Sequence, residues 1–393
     1  MSYNSYILRV SYLTMASPSP FTRHPFKFFF TAYYLSTLPL RVLVAALYYL
    51  PASNRSGRTY RLALTTKLMR FWFDFATAVE FRLPKSLEPG ADKARFVLID
   101  PEKTEHPNSS PYVGVLASNP AILPAPIAGF WYESPPPRDK TPGLVVLHFH
   151  GGAFVLGGAR PADAFCSGPI ALSKRLDCPV LMPQYRLSNS RDRTTCFPAA
   201  LQDAVTAYTY LLHTLDVGPK NIVLSGDSAG GNLAIALLRY IQNEAANHRL
   251  PLPRATLLWS PWVDLCAPGS QYDRHRNVST DFLFDALGEW GVRCYLPDGW
   301  DSNHRFYPYI SPLGQEFQTE VPIFIQTGRA EVLYDSHVEF TANLKKRGCA
   351  VESVEIDNAP HDTFVAAELF GIWEQEVAID RAAKVVVEAG TGP

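Results

Sequence analysis

Five residues, Gly226-Asp227-Ser228-Ala229-Gly230, constrain this chain more than any other stretch. They follow an apolar run, Asn221-Ile222-Val223-Leu224, and open an apolar-periodic run from Asn232 through Ile241. That context predicts a strand, a sharp turn and a helix. Glycines at both ends let the backbone turn tightly enough to hold Ser228 at the tip. A turn of this kind exposes the serine hydroxyl and aims a helix N-terminus at its reaction partner. Gly-x-Ser-x-Gly alone is a weak signal, because its residues are common. The strand and helix around it give it weight, and so do three further pieces of sequence.

The first piece lies upstream, where Leu144-Val145-Val146-Leu147 reads as a strand and runs into His148-Phe149-His150-Gly151-Gly152-Ala153-Phe154. Acyl transfer passes through a tetrahedral oxyanion that needs preorganised N–H donors. The N–H groups of Gly151, Gly152 and Ala229 are the expected donors. The second and third pieces are a base and its orienting acid. His361 stands in Asn358-Ala359-Pro360-His361-Asp362, just after the strand-like Val351 to Ile356. Glu331 follows the strand-like Val321 to Gly328, in the chain order Ser, acid, His that this turn motif demands. The expected catalytic set is therefore Ser228, Glu331 and His361. Asp335 and Asp264 remain rival acids.

These residues resemble the hormone-sensitive-lipase-like family of α/β-hydrolases, which includes arylacetamide deacetylases and fungal steryl-acetate esterases. The likeness runs from about Val145 to the C-terminus. It rests on His150-Gly151-Gly152-Ala153, Tyr185-Arg186-Leu187, Phe197-Pro198-Ala199-Ala200 with Asp203, and Gly226 to Asn232. It continues through Ser260-Pro261-Trp262-Val263-Asp264, Ile310-Ser311-Pro312-Leu313, Gly328 to Asp335, and His361. The chain departs from the family pattern at Gln184 and Glu331, where acidic and Asp residues are usual, and at Asp362, where a small residue is usual. The resemblance implies an α/β-hydrolase fold, a mostly parallel sheet with helices on both faces and a helical cap. It also implies serine carboxylic-ester hydrolysis with neither cofactor nor metal. The implied substrate is a hydrophobic small-molecule ester, such as an acetyl ester of a sterol, terpenoid or polyketide. Two other classes stay open: acyl transfer or natural-product assembly on the same fold, and a non-catalytic receptor. The plant gibberellin receptor, which has this fold, lacks the histidine that His361 supplies here.

Charge excludes other classes. With Lys+Arg at 36 and Asp+Glu at 37 there is no net field to attract nucleic acid. The 6 cysteines show no paired spacing and read as small buried hydrophobes. His148 reads as structural, not as half of a metal pair with His150.

The N-terminus is a separate object. Phe28 to Leu50 is almost wholly apolar and aromatic, and its 23 residues, at about 1.5 Å each, are long enough for a bilayer core of about 30 Å. Pro39 and Arg41 interrupt it. A single-pass N-terminal anchor is expected, with the endoplasmic reticulum as one possible membrane. A buried cap hairpin and a helix lying in the interface are the alternatives. Basic residues flank both ends, leaning slightly toward a cytosolic C-terminal domain. Sequons stand at Asn54, Asn108 and Asn277. Three regions are expected: residues 1–55 with the membrane helix at 28–50, 56–142 with a cap-associated helix and the first strands, and 143–393 as the catalytic core with a cap insertion near 280–296. Alternating strand and helix patterns across the last region predict a mostly parallel sheet.

Overall fold

A computed structural model describes residues 19–50, 58–104, 110–133, 135–136, 143–162, 166–243, 250–265 and 271–391. In it the short apolar runs form one eight-stranded sheet. The strands are β1 (Phe96–Ile99), β2 (Ile127–Tyr132), β3 (Val145–Phe149), β4 (Val180–Gln184), β5 (Ile222–Asp227), β6 (Ala255–Trp259), β7 (Ile323–Gly328) and β8 (Val351–Ile356). Their order is β1-β2-β4-β3-β5-β6-β7-β8. β2 runs antiparallel to both β1 and β4, and every other pairing is parallel. The principal helices are α1 (Phe26–Tyr49), α2 (Tyr60–Ala78), α3 (Ser167–Leu176), α4 (Ala199–Thr209), α5 (Ser228–Asn243), α6 (Asp285–Tyr295), α7 (Tyr334–Lys346) and α8 (Gln375–Gly390).

The strands are apolar throughout because both faces of the sheet are covered. Along β3 the side chains alternate in their destination. Val145, Leu147 and Phe149 join a core with Leu201 of α4, Leu233 of α5 and Phe340 of α7. Val146 joins a second core with Leu172 of α3 and Ile379 of α8. The chain leaves β3 for β4 on one side and continues from β5 on the other. This reversal opens a crevice at the carboxyl ends of β3 and β5, where parallel sheets place their ligands.

The strand-like Val351 to Ile356 is β8, and Val321 to Gly328 contains β7. Helix α4 stops as α-helix at Thr209 and continues as a π-turn over Tyr210–Thr214. Helix α5 starts at Ser228, because the turn passes straight into the first helical residue.

Helices α2 and α6 cover the crevice. Ala76 of α2 packs with Leu287 and Trp290 of α6. Phe73 stacks on Phe282 with ring centroids 5.2 Å apart and planes at 8°, and Arg70 Nη1 donates to the Leu283 carbonyl at 2.8 Å. Helix α1 lies antiparallel along the outer side of α2. Lys27 Nζ donates to the Val79 carbonyl at 3.0 Å and the Tyr34 hydroxyl to that of Phe71 at 2.6 Å. Arg41 folds onto this inner side, with its guanidinium 4.5 Å from the Tyr34 ring centre. The opposite side of α1 exposes Phe28, Phe29, Leu40, Leu43, Leu47 and Tyr48. The helix is long and apolar enough to cross a membrane.

Cys166, Cys178, Cys196, Cys294 and Cys349 are free thiols, and Cys266 lies outside the described residues. Asn54 and Asn108 also lie outside them. The Asn277 amide is engaged, donating to the carbonyls of Arg329 and Glu331 at 2.9 Å each.

Candidate active site

Ser228 sits at the β5–α5 turn with φ at +49°, a left-handed conformation that L-residues rarely adopt. The glycines around it are needed for space. A Cβ on Gly226 would stand 2.2 Å from the Gly230 carbonyl oxygen, and one on Gly230 would stand 1.9 Å from that of Phe149. The turn is thus clamped between its own helix and the end of β3.

The Ser228 Oγ lies 2.9 Å from His361 Nε2. His361 Nδ1 lies 2.8 Å from Glu331 Oε2. Glu331 is fully buried. Its other oxygen, Oε1, accepts the Gly328 N–H at 2.6 Å, the Thr327 hydroxyl at 2.8 Å and the Ser260 hydroxyl at 3.1 Å. Burial alone would raise the Glu331 pKa. The neighbouring His337 and the bond to His361 overcome that and hold it well below the usual carboxylate range. For His361 the balance is opposite. Burial would lower its pKa, but the bond to Glu331 and the charges of Glu331, Asp281 and Asp227 raise it above the ordinary histidine value. The rival acids stand elsewhere. Asp335 is exposed and paired with Arg276 and His275, and the charge of Asp264 is felt at the Tyr272 hydroxyl.

The structure corrects one expected oxyanion donor. Gly151 gives its N–H to Asp227 Oδ2 at 2.6 Å, so that hydrogen is not free for a substrate oxygen. The next two N–H groups, of Gly152 and Ala153, make no hydrogen bond among the described residues. Both residues line the cavity beside Ser228. Gly152 has φ at +108° and Ala153 at +52°, which turns this loop back on itself. A Cβ on Gly152 would stand 2.4 Å from the Leu156 carbonyl oxygen. The Ala229 N–H belongs to the first turn of α5, where no intrahelical acceptor exists.

A cavity of about 430 Å³ opens over Ser228 and His361. Met69, Trp72, Phe81, Leu156, Phe282 and Leu287 are among its walls, so it suits an apolar ligand with one reactive polar group.

A family model of the alpha/beta hydrolase fold matches residues 146–365. The chain belongs to the alpha/beta hydrolase fold family. It is 33% identical over 193 residues to an acetyl-hydrolase of Streptomyces hygroscopicus, across 49% of this chain and 59% of that one. It is 28% identical over 234 residues to an ethyl acetate hydrolase of Pseudomonas putida, across 58% and 69% respectively. Among solved structures, an esterase from the bacterial hormone-sensitive lipase family superposes with a TM-score of 0.59 at 24% identity, covering 84% of this chain and 98% of its own, which is a likeness of fold.

Within this alpha/beta hydrolase further buried polar residues surround the site, and His148 takes the structural place expected of it. Asp227, inside the serine pentapeptide, accepts from His148 Nε2 at 2.9 Å as well as from Gly151. His148 Nδ1 faces Ser225 Oγ at 2.9 Å, which makes this histidine a structural tie between β3 and β5. Burial and the adjacent Asp227 charge hold Asp362 far above the carboxylate range. His150 stacks on Tyr185 at 4.4 Å, and burial pushes its pKa down to about 4, so it is neutral. Gln184, one of the departures from the family pattern, accepts the Ala159 N–H at 2.9 Å. Asp281 accepts the backbone N–H groups of His361 and Val332, and His337 stands behind Glu331. For Asp281 and His337 the only sequence signal is polarity at positions that the fold buries.

Proposed function

We propose that this alpha/beta hydrolase is a serine carboxylic-ester hydrolase acting on a hydrophobic ester. One observation carries the reading. The continuous chain from Ser228 Oγ through His361 to Glu331, with bonds of 2.9 and 2.8 Å, ends at the floor of an apolar cavity. Ser228 Oγ attacks the ester carbonyl while His361 Nε2 takes its proton. The oxyanion is held by the N–H groups of Gly152, Ala153 and Ala229. As the tetrahedral intermediate collapses, His361 gives the proton to the leaving alcohol and an acyl-Ser228 remains. Water, deprotonated by His361, then releases the acid and restores the serine. Glu331 keeps the Nδ1 proton on His361 and stabilises the imidazolium. The names of the two hydrolase relatives support the reading.

The same reading seats the enzyme on a lipid surface. The outward side of α1 is apolar, while its inner side is docked on α2 from Lys27 to Tyr34 and beyond. Docking along the helix favours a position flat in the interface over one through the bilayer, and it takes Arg41 out of the lipid-facing side. Trp72 of α2 is both half-exposed and part of the cavity wall, so the cavity mouth lies next to that surface. Initial rates on para-nitrophenyl esters of increasing acyl length test the reading. Activity that peaks on medium or long acyl chains agrees with it. No hydrolysis of any ester contradicts it.

A further inference from the structure

Behind the triad stands a second imidazole that the hydrolytic steps do not use. His337, on α7, is buried at 1% exposure and is absent from the cavity wall. Its Nε2 lies 2.7 Å from the Pro261 carbonyl oxygen. A carbonyl can only accept, so Nε2 carries a hydrogen. Its Nδ1 lies 2.7 Å from Thr327 Oγ1, and Thr327 Oγ1 lies 2.8 Å from Glu331 Oε1. Thr327 has a single hydroxyl hydrogen. Thr327 Oγ1 thus stands between Nδ1 and Oε1, so the imidazole, itself anchored on the Pro261 carbonyl, holds the hydroxyl against the carboxylate inside a buried network, where a lost bond costs more than at a surface. His337 also approaches Glu331 Oε1 directly, at 3.5 Å, its one ion pair among the described residues.

We infer that His337, acting through Thr327, is a positioning residue for Glu331. The inference rests on the hydrolase reading above. Its physical reason lies in the length of the acid. Glu has one more rotatable bond than Asp, and fixing it costs side-chain entropy. The Thr327–His337 pair grips Oε1 from the side opposite His361, together with the Gly328 N–H and Ser260, and leaves Oε2 one geometry in which to receive the His361 Nδ1 proton.

The test uses the full chain and the rate at which a fluorophosphonate labels Ser228, which needs no knowledge of the natural ester. His337→Leu removes the imidazole, Thr327→Val removes only the relay hydroxyl, and His337→Asn keeps a polar group near the Nδ1 position. His337→Leu and Thr327→Val are each expected to slow labelling by about 10- to 100-fold, the size of effect that small misplacements behind a reacting group produce. The double variant should be no slower than the worse single one, because both changes cut one relay. His337→Asn should recover most of the rate lost in His337→Leu. A purely structural role would change none of these except the amount of folded protein. Thr327→Val preserves shape and decides the matter if His337→Leu does not fold. Label that persists in Ser228→Ala, or a wild-type chain that takes no label, overturns the hydrolase reading and this inference with it. Normal Ser228-dependent labelling, with Thr327→Val within twofold of wild type, overturns this inference alone.

Discussion

Asp281 Oδ1 accepts the backbone N–H of His361 at 3.0 Å, tying the loop of the base to the segment that leads into the cap. Its other oxygen accepts the Val332 N–H at 2.8 Å, one residue after Glu331. One carboxylate thus fixes the spacing between the acid and the base of the site from a third stretch of chain. Asp281 is buried at 3% exposure. Replacing it with Ala leaves buried donors unpaired, at about 1–3 kcal/mol each. Asp281→Ala should therefore lower the Tm and slow ester hydrolysis together, and Asp281→Asn, which keeps one acceptor oxygen, should do so less. Calorimetry and initial rates on the same samples check this. An Ala variant with unchanged Tm and rate contradicts the assigned role.

The proposed oxyanion donors make a prediction that separates Gly152 from an ordinary turn glycine. An added Cβ would meet the Leu156 carbonyl at 2.4 Å in a backbone with φ at +108°. Gly152→Ala must shift the loop and misplace its N–H. Loss of one such donor costs about 10²–10³ in turnover. The expected outcome is a kcat lowered by that amount with KM for a short ester little changed. A rise in KM with kcat preserved contradicts the assignment.

The direction of the His361 shift fixes the pH profile. The base must be neutral to take the Ser228 proton, so activity is lost as pH falls through its pKa. Burial lowers that pKa, but the Glu331 bond and the surrounding carboxylates raise it further. The acidic limb should therefore lie above the unperturbed histidine value of about 6.5. Glu331→Gln removes the largest raising cause. It should move the limb to lower pH and reduce turnover by about 10²–10⁴ by disfavouring the needed tautomer. A limb that stays in place in Glu331→Gln contradicts the pairing.

For α1, the outward face is the variable to change. Phe29, Leu40 and Leu47 are exposed at 64%, 63% and 58% and do not hold the helix to α2. Replacing all three with Glu should abolish flotation of the full chain with phospholipid vesicles while ester hydrolysis in solution persists. Undiminished flotation contradicts the interfacial position, and so does a wild-type chain that stays with the soluble fraction.

Much of this molecule was legible because its signals are local. The β5–α5 turn needs glycines at fixed offsets, so Gly226 and Gly230 announce it. The central strands of the sheet are buried on both sides and read as plain apolar runs, and β8 matches its predicted bounds, Val351 to Ile356, residue for residue. What stayed hidden is long-range. Nothing near Gly151 in sequence shows that Asp227, 76 positions on, takes its N–H. Asp281 and His337 look like surface polar residues until the fold buries them. Arg41 reads as an interruption of a membrane span, and only the antiparallel packing of α1 on α2 turns it inward.

The most direct measurement of the central claim is the steady-state hydrolysis of a para-nitrophenyl ester by wild type and by Ser228→Ala, with folding of both confirmed by circular dichroism. Loss of the nucleophile from a working triad costs about 10⁴–10⁶ in turnover. The account predicts a fall of that size with the fold intact. Activity within tenfold of wild type in Ser228→Ala would contradict it.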